Sequence, residues 1–247
     1  MPRIRPNALV LLLAYSACAP AALAGEAEWL CLTGDDHFRM WQAPTGEWTE
    51  VGSVALDPSN ARLLISQPGQ GVMVNGRLGK TDNLVSKAEF RDVEAHVEFL
   101  IPEGSNSGVK FMGLYEIQIA DSHGIDRPSA EDCGGIYPRA REEPKYHHID
   151  KGFPPRVNAA RPAGEWQTLD VTFRGPRFDA QGKKTTAATF VKVVLNGKTI
   201  HENVAPQSPT GSAWLWKAEV PDGPLLLQAD HGLVAFRSVR IRPLAAP

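Results

Sequence analysis

Residues 93–99 read Val-Glu-Ala-His-Val-Glu-Phe. Val93, Ala95, Val97 and Phe99 alternate with Glu94, His96 and Glu98, so one face is apolar and the other polar. Successive side chains of a strand project to opposite faces, and this period of two marks a strand lying half-buried on a core. The run ends at Pro102, and Glu103-Gly104-Ser105-Asn106-Ser107-Gly108 supplies turn-forming residues before Val109-Lys110-Phe111-Met112. At Tyr115 the alternation resumes, with Tyr115, Ile117 and Ile119 on one face and Glu116 and Gln118 on the other.

The same reading extends outward. Strands are expected at 166–174, 188–195, 225–228 and 236–241, and Asn196-Gly197 is the two-residue turn of a hairpin joining 191–195 to 198–201. No strand alternates with a long amphipathic helix, which removes a parallel α/β sheet. Glycine (22) and proline (20) together make about one residue in six of the 247, which disfavours a helical bundle. The expected fold is all-β, a single antiparallel β-sandwich. Residues 121–161 are polar and rich in glycine and proline; a stretch this long without regular structure reads as a functional loop.

The net charge of −2 gives no basic face for nucleic acid. Residues 1–24 read as a signal peptide: Arg3 and Arg5 precede an apolar run at 8–14, and Ala22-Leu23-Ala24 is a small-x-small cleavage site. That leaves 25–247 as the folded domain, exported to a periplasm or secreted. The apolar run is too short to be a transmembrane segment. Lipid anchoring at Cys18 is the weaker alternative, since Tyr15 stands where a leucine is expected. In an oxidising compartment Cys31 and Cys133 are a disulfide candidate, closing a loop of about 100 residues worth roughly 4–5 kcal/mol. Two separate thiols are the alternative.

Among residues that carry chemistry, Glu116 and Gln118 share a strand face, and Asp121 follows at the strand end, on the opposite face unless the strand bulges. The plain alternative is a polar, solvent-facing side of that strand. Asn106 lies in the preceding turn. His231, in Gln228-Ala229-Asp230-His231-Gly232, can act as a base near neutral pH, with the Asp230 side chain diverging from it in extended chain. His147 and His148 are adjacent, match no compact zinc motif, and read as a solvated loop. Of the six tryptophans, Trp214 and Trp216 share a face and can be exposed for stacking on sugar rings. No GxSxG elbow, P-loop or HExxH motif occurs.

An ordered set of motifs resembles the 3-keto-disaccharide hydrolase domain family. It comprises Leu84-Val85-Ser86-Lys87, the 93–99 strand, Asn106-Ser107-Gly108-Val109, Tyr115-Glu116-Ile117-Gln118-Ile119 with Asp121-Ser122, and Gly135-Ile136-Tyr137. Asn158-Ala159-Ala160-Arg161-Pro162, Gly164-Glu165-Trp166-Gln167, Leu227-Gln228, Asp230-His231-Gly232 and the stretch 236–244 complete it. The resemblance implies a jelly roll of the concanavalin A-like lectin and glucanase type, binding sugar across its concave sheet. It implies as partner an oxidised sugar, a glycoside carrying a ketone at carbon 3. Such a ketone acidifies the hydrogen on carbon 2; a base removes it, the aglycone leaves carbon 1, and water adds to the enone. On this resemblance Glu116 or Asp121 is the base and His231 the proton donor. Lys87 and Gln118 hold keto or hydroxyl oxygens, with Asn106, Lys110, Tyr137 and Gln228 also contacting substrate. A divalent cation could polarise the ketone, and no ligands for one emerge from the sequence.

Two other functions compete: a non-catalytic carbohydrate-binding sandwich, and conventional hydrolysis of the laminarinase type, whose E-x-D-x-x-E strand the 116–121 segment partly matches. Gln118 in place of the middle acid weakens the latter. The loop 139–153 is longer than the family norm and would reshape the sugar site. The sequence is silent on oligomeric state.

Overall fold

The computed structural model describes residues 27–34 and 38–244. Among them the chain forms sixteen strands and one 3-10 turn at Ala213–Leu215, with no α-helix. The first seven strands are β1 (Leu30–Cys31), β2 (Thr49–Asp57), β3 (Asn60–Val74), β4 (Leu84–Phe90), β5 (Asp92–Leu100), β6 (Asn106–Phe111) and β7 (Tyr115–Ala120). After two short strands, β8 (Ala140–Arg141) and β9 (His147–His148), come β10 (Gln167–Arg174), β11 (Arg177–Phe178) and β12 (Lys184–Thr186). The chain finishes with β13 (Thr189–Leu195), β14 (Lys198–Val204), β15 (Gly223–Leu227) and β16 (Ala235–Pro243).

Two antiparallel sheets stack into the expected jelly-roll sandwich. The larger runs β14-β13-β10-β5-β16-β3-β2, with β1 also on β16; the smaller runs β4-β15-β6-β7. Alternation dictates what fills the space between them. Val93, Ala95, Val97 and Phe99 of β5, with Leu169, Val171 and Phe173 of β10, face Leu84, Val109, Phe111, Ile117 and Leu227 of the smaller sheet, all buried. Each of these side chains except the smaller Ala95 is worth roughly 1.5–3 kcal/mol relative to exposure. Phe111, Phe173 and Phe190 stack at the centre with ring centroids 5.1–5.7 Å apart. The β13–β14 hairpin turns on Asn196 (φ 51) and Gly197 (φ 79), both left-handed as a two-residue turn of this kind requires.

Residues 121–161 are more ordered than the sequence suggests. The β8–β9 hairpin lies within them, and Ile136 bridges both Ile117 and Phe153, widening the smaller sheet past β7. Gly134 N–H donates to the Gln118 carbonyl (2.8 Å), Gln118 N–H to that of Gly135 (2.8 Å), and Tyr137 N–H to that of Glu116 (3.1 Å). The segment packs too closely for side chains: a Cβ at Gly135 would stand 2.3 Å from the Ala130 carbonyl oxygen. Its cover leaves every residue from Tyr115 to Ile119 buried on both faces, so Glu116 and Gln118 are not a solvent-facing side.

The disulfide expectation is corrected by the structure. Cys31 lies opposite Arg240 of β16 on the outward face of the larger sheet, whereas Cys133 is fully enclosed in the core; the two thiols are not bonded to each other. Burial pushes the Cys133 thiol up to about 12. Among the described residues no helix is long and apolar enough to cross a membrane. The proposed leader at 1–24, with Cys18, lies outside the described residues.

Candidate active site

Strand register aligns the chemistry-bearing residues in rows across the smaller sheet. Val85 pairs with Leu226, Leu226 with Lys110, and Lys110 with Glu116. The Ile117–Ile136 bridge sets Tyr137 opposite Glu116, so one row ends Lys110-Glu116-Tyr137. The next row holds Gln228, whose N–H donates to the Gly108 carbonyl (2.9 Å), then Gly108, Gln118 and Gly135. Asn106 stands one step further along β6, accepting a hydrogen bond from Gln118 Nε2 (3.2 Å). Glycines at 108 and 135 leave the floor of this second row low. A Cβ at Gly108 would lie 2.2 Å from Glu116 Oε1, so the glycine makes room for the carboxylate.

Glu116 is 3% exposed and its Oε2 lies 3.1 Å from Lys110 Nζ. Its backbone N–H donates to the Thr210 hydroxyl (3.1 Å), which itself donates to the Leu114 carbonyl (3.1 Å). A second ammonium, Lys217, hangs over the β6–β7 turn, 3.8 Å from where a Cβ at Gly113 would be. Burial, and then the Lys110 charge, hold Lys217 below the usual lysine range. Its Nζ also lies 5.6 Å from the ring centroid of Trp216, which is 68% exposed, as the sequence suggested.

Beyond Tyr137 the contacts continue in a chain. The Tyr137 hydroxyl is 3.1 Å from His148 Nε2, and His148 Nδ1 is 3.3 Å from Glu131 Oε1. The Tyr146 hydroxyl approaches that of Tyr137 at 3.4 Å. Burial pushes the pKa of both phenols above the usual tyrosine value, so both are protonated at neutral pH; the Glu116 charge adds to the effect.

Glu116, Gln118, Lys110, Asn106, Gln228 and Tyr137 are therefore brought together in neighbouring rows of the smaller sheet. Three other candidates are not. Lys87 shares the face but stands on β4, with β15 and β6 between it and Glu116, and donates to the Arg39 carbonyl (2.7 Å). Asp121 obeys strand parity and projects away from Glu116; its carboxylate accepts the Gly104 N–H (2.9 Å) and fixes the β5–β6 turn. His231 is exposed, its Nδ1 2.6 Å from Asp230 Oδ1. A bend in that loop turns these two side chains together instead of apart.

Sequence reasoning passed over His148, Glu131, Tyr146 and Lys217. Adjacent histidines on an extended segment do diverge. His147 turns to its own hairpin, 2.8 Å from the Lys145 carbonyl, and this directs His148 inward to Tyr137. Divergence was thus the signal that one of the pair faces the fold. Nothing local marks Lys217. Among the described residues no group of three or more His, Cys, Asp or Glu is arranged to hold a metal.

The family model described as the 3-keto-alpha-glucoside-1,2-lyase-like domain matches residues 30–242. The chain belongs to this family. Solved structures similar in fold include two candidate glycosyl hydrolases from Parabacteroides distasonis. One is 22% identical, with a TM-score of 0.61 over 87% of this chain and 84% of that one. The other is 20% identical, with a TM-score of 0.51 over 88% of this chain and all of that one. No curated protein sequence matches the chain.

Proposed function

We propose that this family member is an exported carbohydrate-active enzyme that cleaves 3-keto-glycosides by removing the carbon-2 proton and eliminating the aglycone. The observation that carries the reading is the Lys110-Glu116-Tyr137 row. It sets proton-handling groups beside a positive charge, in an environment where electrostatic interactions are strong. With the ketone oxygen at Lys110 and Lys217, charge developing on the enolate is stabilised as it forms. The enolate then collapses, the carbon 1–oxygen bond breaks, and water adds to the resulting enone to complete hydrolysis. Gln118, Asn106 and Gln228 present amides to the sugar hydroxyls. Gln228 Oε1 is buried without a protein partner, so a donor from the substrate would satisfy it.

Conventional retaining hydrolysis is the poorer fit, because it needs two carboxylates about 5–5.5 Å apart on one face. Asp121, the only candidate partner in the 116–121 motif, projects from the other side of β7 and is committed to the Gly104 turn. The test is to incubate the protein with a 3-keto-glucoside and with its unoxidised parent. Release of aglycone from the keto substrate alone is expected; faster cleavage of the parent would overturn the reading, and binding without turnover of either would favour a binding module.

A further inference from the structure

Two groups in the row could take the carbon-2 proton, Glu116 and Tyr137, and they stand in different surroundings. Glu116 is committed to Lys110 at 3.1 Å and is nearly inaccessible. Protonating it would strip Lys110 of its counter-charge as the enolate needs that ammonium held in place. Tyr137 has a proton acceptor behind it, His148 Nε2 at 3.1 Å, and His148 has a carboxylate behind it, Glu131 at 3.3 Å. The rings of Tyr137 and His148 meet edge to face with centroids 5.2 Å apart, and Tyr146 closes on His148 from another side at 5.7 Å. The imidazole is thus held in one orientation by packing as well as by hydrogen bonds.

We infer that Tyr137, His148 and Glu131 form a proton-transfer triad in which Tyr137 is the base for carbon 2, and His148 and Glu131 are positioning residues that act through it. The inference rests on the elimination reading above. A carboxylate at Nδ1 places the imidazole proton on that nitrogen and leaves Nε2 to accept from the Tyr137 hydroxyl. Burial keeps the phenol protonated at rest, so it needs an acceptor for its own proton at the moment it takes another.

The step balances. The Tyr137 O–H proton moves to His148 Nε2 as the phenol oxygen takes the proton from carbon 2, and the electron pair of that C–H bond becomes the enolate. The imidazolium is held by Glu131. The enolate then expels the aglycone oxygen, which takes the proton now on Tyr137, and His148 returns its Nε2 proton to the phenolate. Phenol and neutral imidazole are restored with no net proton consumed. Glu116 stays anionic throughout and keeps Lys110 aimed at the ketone oxygen.

The test combines kinetics with a readout that needs no turnover. With a 3-keto-glucoside in deuterated water, Tyr137→Phe is expected to lower kcat by about 10²–10⁴-fold. Glu131→Ala is expected to lower it by about tenfold with KM nearly unchanged, and Glu131→Gln, which still accepts from Nδ1–H, to recover part of that loss. Groups acting as a unit are non-additive, so Glu131→Ala should cost nothing further in the Tyr137→Phe background. Independent multiplication of the two losses, or wild-type rates of carbon-2 exchange in Tyr137→Phe together with their loss in Glu116→Gln, would overturn the triad. Nitrogen-15 NMR of wild-type protein should place the His148 proton on Nδ1, and a proton on Nε2 would overturn the proposal. If wild-type protein neither cleaves the keto substrate nor exchanges its carbon-2 proton, the elimination reading fails, and the NMR result alone decides whether the hydrogen-bonded triad exists.

Discussion

Gly108 shows how a single missing side chain serves the candidate site. Any Cβ there meets the Glu116 carboxylate at 2.2 Å, and the easiest escape is for that carboxylate to swing off Lys110. Gly108→Ala should therefore fold, because the clash is with the end of a side chain, yet lose about 10–100-fold in kcat through misplacement of the ion pair. Steady-state kinetics beside a thermal melt checks this; unchanged kcat in a folded variant would mean that the Glu116–Lys110 geometry does not matter. Gln228 offers a complementary case, because its Oε1 is buried and unpaired. Gln228→Met removes an unsatisfied polar atom, so the melting temperature should hold or rise while KM for the sugar rises about five- to tenfold, as expected for one lost hydrogen bond.

At the scale of elements, the segment that flanks β7 shapes the candidate site. Tyr137 reaches the row because residues 134–137 pair with β7, and the Thr210 hydroxyl takes the Glu116 N–H, a backbone donor that this pairing leaves over. Thr210→Val strands that buried N–H and should cost about 1–3 kcal/mol, read as a lower melting temperature or denaturant midpoint. The elements differ in how far sequence reveals them. β5 and β10 were legible because alternation on a half-buried sheet is a local pattern, and the 196–197 turn because Asn-Gly suits left-handed backbone. β2 and β3 were not: Gly52, Pro68, Gly69 and Gly71 interrupt them, and most of their residues are not buried, so no apolar period stands out. The site divides the same way. Lys110, Glu116 and Gln118 lie on two paired strands, and strand parity places Glu116 and Gln118 on one face from sequence. Glu131 and His148 come from distant points of the 121–161 segment and Lys217 from the stretch between β14 and β15, and they are assembled only by tertiary folding. A long polar loop advertises function without saying which of its residues turn inward.

On the scale of the whole molecule, the two sheets divide the work. The smaller presents the site, and the outward face of the larger carries a band of charge in which His96 lies 2.6 Å from Asp170 and 3.2 Å from Glu98. The Asp170 hydrogen bond raises His96 above its ordinary value of about 6.5 against the opposing effect of burial, with Glu98 adding to the rise. A raised folded value means that protonated His96 favours the folded state. That contribution is complete below about pH 6.5 and is lost as pH rises through the raised value. Melting temperature should therefore fall from about pH 6 to pH 8 by more in the wild type than in Asp170→Asn, and parallel curves would remove His96 from the pH response. This linkage belongs to the scaffold and should leave the chemistry untouched. The central claim, that the Lys110-Glu116-Tyr137 row takes a proton from carbon 2 of a 3-keto-sugar, is tested most directly with a 3-keto-glucoside deuterated at carbon 2. The account predicts a primary isotope effect on aglycone release, or washout of the label into water ahead of release; cleavage with neither would contradict it.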